Sequence, residues 1–432
     1  MRLHDLRFFM NLSTSLLYIK HVWKVRWHFI LGVALLIASI PSILVLPKSA
    51  SAIVALLGVV VSVVSAIMEI RKARSIESEY LFVDSTILNQ RGLKLDRALV
   101  KSGYSLKNSG GKAILVSSKV DEFLANGGKV DFQFLNETWE LPRELRDEWK
   151  GRLLQRAKRE KRIIFDSCKV RLMNDLAISN TGKVIEVKIQ PTSYLNGFWT
   201  NEAALLDLKL GSETVYCGNR LYMLEKIVSA LSDSRCANSI GVSTLLIGSG
   251  SKLPLVTQSA RSAVSNSKIA PSGSGSMDLE DIQEGDPDFN TVICRAAERE
   301  LVEEMGLSKE INLKSQVIGF SRLLARGGKP EFFCVTWVDS DIRQVNLAKV
   351  ERLFTHSPMD AVVDWGDSKR NIAFKLRTLI KTNESAYSLS LQCALEVLAN
   401  ALTNAKSSAP FLSSLPSQSY LRNRSTSRKS VS

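Results

Sequence analysis

Two uninterrupted apolar stretches, a long middle section of short apolar runs punctuated by turn residues, and a polar basic tail follow one another along the chain. The apolar stretches read HFILGVALLIASIPSILVL from His28 to Leu46 and AIVALLGVVVSVVSAIM from Ala52 to Met68, and neither holds a Lys, Arg, Asp or Glu. Each approaches the roughly 20 residues a helix needs to cross a hydrocarbon core of about 30 Å, and only residues 47–51 separate them. The pattern predicts a two-helix transmembrane hairpin over 28–70, kinked at Pro41. Lys20, Lys24 and Arg26 precede the first stretch, and Arg71, Lys72 and Arg74 follow the second. Because Lys and Arg collect on the cytoplasmic side, the expected localisation is a two-span membrane protein with both termini and the downstream region cytoplasmic. No acid or base inside the spans marks an ion path, so the hairpin reads as an anchor.

Downstream the period shortens. The runs KVRLMNDLAIS, KVIEVKIQPTSY, VSTLLIG, KLPLVTQS, SQVIGFSRLLA and PEFFCVTWV are bounded by turn residues and read as strands. Helical patterns accompany them, with one from Pro142 to Arg162 and another from Ser385 to Ala405, where Leu389, Leu391, Leu395 and Leu398 recur. Strands interleaved with helices predict an α/β sandwich. The expected organisation is a basic segment 1–27, the hairpin 28–70, a linker or accessory region 71–165, an α/β domain 166–384, a C-terminal helix 385–405 and a disordered Ser-rich basic tail 406–432.

Composition narrows the function classes. A chain of 432 residues with 45% hydrophobic side chains buries a full core, which excludes a wholly disordered protein. Lys and Arg outnumber Asp and Glu by 57 to 43, with basic clusters near the N-terminus, at Lys150–Arg162 and in the tail. Such clusters suit an anionic lipid surface or nucleic acid. The apolar stretches favour the lipid bilayer, and without an aromatic-interleaved basic motif no nucleic-acid partner is expected. Six scattered cysteines, with no Cys-x-x-Cys pair, argue against a zinc site or a disulfide framework.

The stretch RAAERELVEEMGL, Arg295 to Leu307, concentrates the candidate chemistry. On a helix Glu300, Glu303 and Glu304 stand at i, i+3 and i+4 and share one face. Crowded carboxylates repel unless a cation offsets them, and a hard divalent ion takes oxygen ligands. Ala296 and Ala297 let the opposite side approach a sheet, and Gly306 suits a left-handed helix end. On charge spacing alone, a solvated acidic helix with an Arg299–Glu303 pair accounts for the same residues.

RELVEEMGL, Arg299 to Leu307, also resembles the core of the Nudix box, G-x5-E-x7-R-E-U-x-E-E-x-G-U, where U is a bulky aliphatic residue. Arg299, Glu300, Leu301, Glu303, Glu304, Gly306 and Leu307 all fit, and Gly285 takes the glycine position. The upstream glutamate position falls on Thr291, and Asp278, Glu280 or Asp281 is expected to stand in for it. The resemblance covers about half the chain, from Lys169 to Lys381. It implies a Nudix-type α/β/α sandwich with a mixed sheet, here preceded by the transmembrane hairpin.

For activity, the resemblance implies a membrane-anchored hydrolase that cleaves the diphosphate of a nucleoside diphosphate linked to another moiety. Mg²⁺, with Mn²⁺ as the alternative, would be held by Glu300, Glu303 and Glu304. Glu303 or Glu304 would assist as base, and Arg299 would orient a carboxylate. Arg322, Arg326 and Lys329 are the expected phosphate contacts, a solvated hairpin tip being their other reading. Glu331 is a further ligand candidate, and Tyr194 or Trp199 a base or ribose contact, though such aromatics also serve cores. The rival class is a nucleotide sensor of weak catalysis, coupled to the hairpin and to homo-oligomerisation, in bacterial stress or antiviral signalling. Thr291 favours that rival, whereas the intact glutamate trio favours the enzyme.

Overall fold

The most apolar runs of the middle section become strands buried on both faces, which sets the architecture. The computed structural model describes residues 80–85, 92–109, 111–145, 147–160, 162, 164–179, 186–247, 252–258, 267–308, 311–338, 355–406 and 409–413. In chain order, the elements that matter for the site begin with strands β1 (Ser105–Ser109) and β2 (Lys112–Val116), helix α1 (Ser118–Ala125), strand β3 (Phe132–Phe134) and helix α2 (Asp147–Arg159). Strands β4 (Cys168–Leu172), β5 (Val187–Ser193), β6 (Gly241–Ile247), β7 (Lys252–Gln258), β8 (Ile269–Ala270) and β9 (Gly273–Ser276) follow. Helix α3 (Phe289–Met305), strands β10 (Leu313–Leu323), β11 (Lys329–Val338) and β12 (Thr355–Val362), and helices α4 (Lys369–Thr382) and α5 (Leu389–Asn404) complete the set.

The largest sheet has six strands in the order β9-β6-β11-β10-β2-β1. β6 and β11 run parallel, and every other neighbouring pair is antiparallel. Alternation along β11 assigns its faces. Phe332 and Cys334 enter the core that α3 builds with Phe289, Val292 and Ala296, whereas Phe333 and Val335 enter the core with Leu391, Leu395 and Leu398 of α5. Helices therefore cover both faces. β8-β7-β12 and β3-β5-β4 form two three-stranded sheets. Tyr80–Asp84, Leu206–Leu210 and Glu213–Cys217 form another, and Lys94–Leu95, Met223–Leu224 and Ile227–Val228 the last.

The expected fold class and localisation are corrected on this point. The described residues form a mixed α/β fold of several sheets, not one sandwich behind a membrane hairpin, and no helix among them is long and apolar enough to cross a membrane. The physical reason is length and charge. The apolar α5 has 16 residues, which at about 1.5 Å each fall short of a bilayer core. The 17-residue α3 carries the glutamate-rich stretch. The hairpin 28–70, the segment 1–27 and most of the tail 406–432 lie outside the described residues, so the membrane localisation has no structural support.

Residues before 166 are built into the same core. β1 and β2 extend the six-stranded sheet through pairs such as Arg322 with Leu115. Trp149 of α2 is buried and edge-on to Phe82. The predicted helix at 142–162 appears as α2, and that at 385–405 as α5, capped by Ser388, whose hydroxyl accepts the Leu391 N–H.

A bulge interrupts β10 between Val317 and Gly319. It frees the Phe320 N–H, which donates to Asp121 Oδ1 of α1 at 2.9 Å. A Cβ at Gly319 would stand 2.9 Å from that oxygen and 2.4 Å from Val397, so glycine suits the crossing.

Candidate functional site

The site begins with how α3 is seated. Asp288 caps it by accepting the Thr291 N–H at 2.9 Å, and Gly306 ends it at φ 62°. Phe289, Val292, Ile293, Ala296, Ala297, Leu301 and Met305 form its buried stripe. Strand β9 lies so close that a Cβ on Gly273 would stand 2.7 Å from the Leu301 Cα and N, and one on Gly275 2.1 Å from Glu300 Oε1. The glycines of GSGS thus set the distance between strand and helix. Gly273→Ala is expected to lower the unfolding free energy by about 1–3 kcal/mol through overpacking. Urea unfolding at constant slope checks this, since backbone, not a flexible side-chain tip, must move.

Across this tight seam the Ser274 N–H donates to Glu304 Oε2 at 2.8 Å. Glu300 and Glu304 are buried, while the Glu303 side chain is 46% exposed. Arg299 lies between the acids. Its Nε and Nη2 donate to the two oxygens of Asp281 at 2.9 Å each, and Nη1 donates to Glu300 at 3.0 Å and to Glu303 at 3.4 Å. Nη2 also approaches Asp278 at 3.2 Å and the Ser276 carbonyl at 3.3 Å. Burial would lower the guanidinium's pKa, and the surrounding carboxylates outweigh it and raise it. Burial pushes Glu300 up to about 7, Arg299 opposing and Glu303 adding to the rise.

The structure brings Asp278 and Asp281 to Arg299, as two of the three expected stand-ins for the acid absent at Thr291, and Glu280 is not among its partners. Thr291 instead bonds through both N–H and Oγ1 to Asp288. The acceptors around Arg299 are four carboxylates and the Ser276 carbonyl, oxygens of the type a hard divalent cation takes, and a cation already sits among them as the guanidinium. The residues therefore fit such an ion by chemistry. In the arrangement described, Arg299 fills the space between Glu300 and Glu303, Glu304 is turned to Ser274, and among the described residues no three acid, His or Cys side chains converge on one metal position.

The three expected phosphate contacts part company. Arg322 is fully buried and donates from Nη1 to Asp175 at 3.1 Å and to the Ser229 carbonyl at 2.9 Å, and from Nε to the Gly328 carbonyl at 3.1 Å. It is a clamp of the core whose partners are Asp175, Ser229 and Gly328 and not the glutamates of α3. Arg326 pairs with Glu202, Nε to Oε1 at 2.9 Å. Burial raises the Glu202 pKa, but Arg326 outweighs burial and leaves it below its usual range. Lys329 is buried and donates to Ser276 Oγ at 2.9 Å. Burial and then Arg326 pull it down to about 8. Glu331 accepts from Ser243 Oγ at 2.6 Å and leaves Oε2 unpartnered among the described residues. Tyr194 stacks on Phe165, and the Trp199 carbonyl accepts from Trp149 Nε1.

Sequence reasoning missed Lys169 and Ser276. Lys169 of β4 forms an ion pair with Asp278, and its Nζ also reaches the Ser276 carbonyl at 3.4 Å. Ser276 joins the two polar clusters. Its carbonyl takes Arg299 and Lys169, and its hydroxyl takes Lys329. The only advance signal was its place in the glycine-serine run.

Comparison adds little. No protein family and no curated protein matches the chain. Among solved structures, the crystal structure of DR0079 from Deinococcus radiodurans is similar over 35% of this chain and 83% of that one, at 13% identity and a TM-score of 0.22, too low to carry an argument about fold or function.

Proposed function

We propose that the chain is a divalent-metal-dependent hydrolase of the Nudix type, acting on the diphosphate of a nucleoside diphosphate linked to another moiety. The observation that carries the reading is the placing of Glu300, Glu303 and Glu304 at i, i+3 and i+4 on α3, with Glu300 packed under the glycine strand and Arg299 donating to Glu300 and Glu303. Glu300, Glu303 and Glu304 would hold Mg²⁺ or Mn²⁺, which supplies charge neutralisation at a diphosphate and a bound water of lowered pKa. Glu303, the exposed member, takes a proton from the attacking water. Arg299 orients Glu300 through a charge-assisted hydrogen bond and keeps Asp281 and Asp278 from repelling the helix acids. Lys329 and Lys169, joined at Ser276, place positive charge at the edge of the same seam.

The test is product analysis. The full chain with Mg²⁺ and a panel of nucleoside diphosphate conjugates is expected to release nucleoside monophosphate, and Glu303→Gln to slow release about 100-fold. Turnover unchanged in Glu303→Gln would overturn the reading. A second reading, nucleotide binding without turnover, is favoured by Thr291, which serves as a cap contact where the box places an acid. Saturable nucleotide binding by both proteins with no product would establish it.

A further inference from the structure

On the face of the six-stranded sheet opposite α3 lies a cleft of about 630 Å³ between α1, β2, β10 and α5. Its volume falls in the range of small-molecule sites, and none of the glutamates of α3 lines it. Ile114, Val116, Ile318, Val397 and Ala401 give it an apolar wall. Two polar groups stand against that wall. Ser321 is fully buried, and its hydroxyl finds no partner among the described residues. Asp121 offers a carboxylate whose Oδ1 takes the Phe320 N–H released by the bulge.

A buried hydroxyl without a partner costs roughly 1–3 kcal/mol, so its presence in a cleft that a carboxylate also lines asks for an occupant that supplies donors. The charges around the cleft point to the sign. Asp121, Glu122, Glu384 and Glu396 line it against Lys107 and Lys381. We propose that this cleft is a second ligand site, which takes a small amphipathic cation: a protonated amine that donates to Asp121 and Ser321, on an apolar body that packs against Ile318, Val397 and Ala401. Burial pushes the Asp121 carboxyl up to about 7, which an ammonium partner offsets. The site is independent of the hydrolase reading, because its residues belong to other elements and to the other face.

Calorimetric titration of the full chain with hexylammonium, hexanol and hexanoate tests it. Hexylammonium is expected to bind at least tenfold more tightly than either neutral or anionic analogue. Asp121→Asn should remove that preference, and Ser321→Ala should weaken hexylammonium severalfold while leaving the fold intact, since it deletes an unpartnered hydroxyl. Glu303→Gln should change none of these affinities. Equal binding of all three probes, no binding of hexylammonium, an unchanged preference in a folded Asp121→Asn protein, or an unchanged hexylammonium affinity in a folded Ser321→Ala protein overturns the proposal.

Discussion

Arg322→Met is expected to lower the unfolding free energy by about 3–5 kcal/mol, the cost of breaking a buried ion pair by removing one partner. Arg322 is fully buried, and Asp175, its acid, is only 8% exposed at the side chain. Asp175 Oδ2 also accepts the Leu231 N–H at 2.6 Å, so the pair ties β10 to the 229–231 turn. Methionine keeps much of the volume but strands the Asp175 charge in a dry place. Chemical denaturation gives the size of the loss. Adding Asp175→Asn to Arg322→Met should recover part of it, because removing both charges spares the desolvation that one alone suffers. A phosphate contact at Arg322 would behave oppositely, with stability held within about 1 kcal/mol and substrate KM raised.

That contrast shows why Arg322 could not be placed from its neighbours in sequence. A one-residue change of register sends every later side chain of a strand to the other face, and the bulge at 317–319 makes that change in β10. Phe320 therefore joins Val317 in the core under α3, and Ser321 faces the cleft beyond. Gly319 was the only local sign of it. Where period and capping chemistry agree, the reading held. α3 ends at Gly306 in the left-handed region, and the runs at Thr244–Ile247 and Val317–Phe320 are strands. The glutamate face was legible because a helix period assigns it directly. The partners of Arg299 were less so, since Ser276, Asp278 and Asp281 precede α3 and reach it only through the β9–α3 seam, while Lys169, which pairs with Asp278, comes from β4. The 71–165 region read as a linker or accessory region because its elements are short, and what builds them into the sheet is the pairing of β2 with β10 and of β1 with β2.

The seam supplies the other large effect. Arg299→Ala is expected to cost about 3–5 kcal/mol of stability and to abolish the proposed hydrolysis, because one guanidinium serves Asp281, Asp278, Glu300 and Glu303 together. Lysine should restore little, since a point charge cannot span both oxygens of Asp281 and still reach Glu300. The deficit has a definite pH dependence. In the native chain, burial already holds Glu300 at about 7 against an ordinary value of 4.5, with Arg299 lowering it, so loss of Arg299 raises it further. Below pH 4.5 the carboxyl is protonated in folded and unfolded chains alike, and this part of the deficit vanishes. As pH rises toward 7 and beyond, the unfolded chain sheds a proton that the folded variant must keep or lose at the expense of an unpaired buried charge, so stability falls. Unfolding of both proteins at pH 5 and pH 8 should thus show the larger gap at pH 8. A gap that narrows at pH 8 would mean that Arg299 does not hold Glu300 in its ionised form.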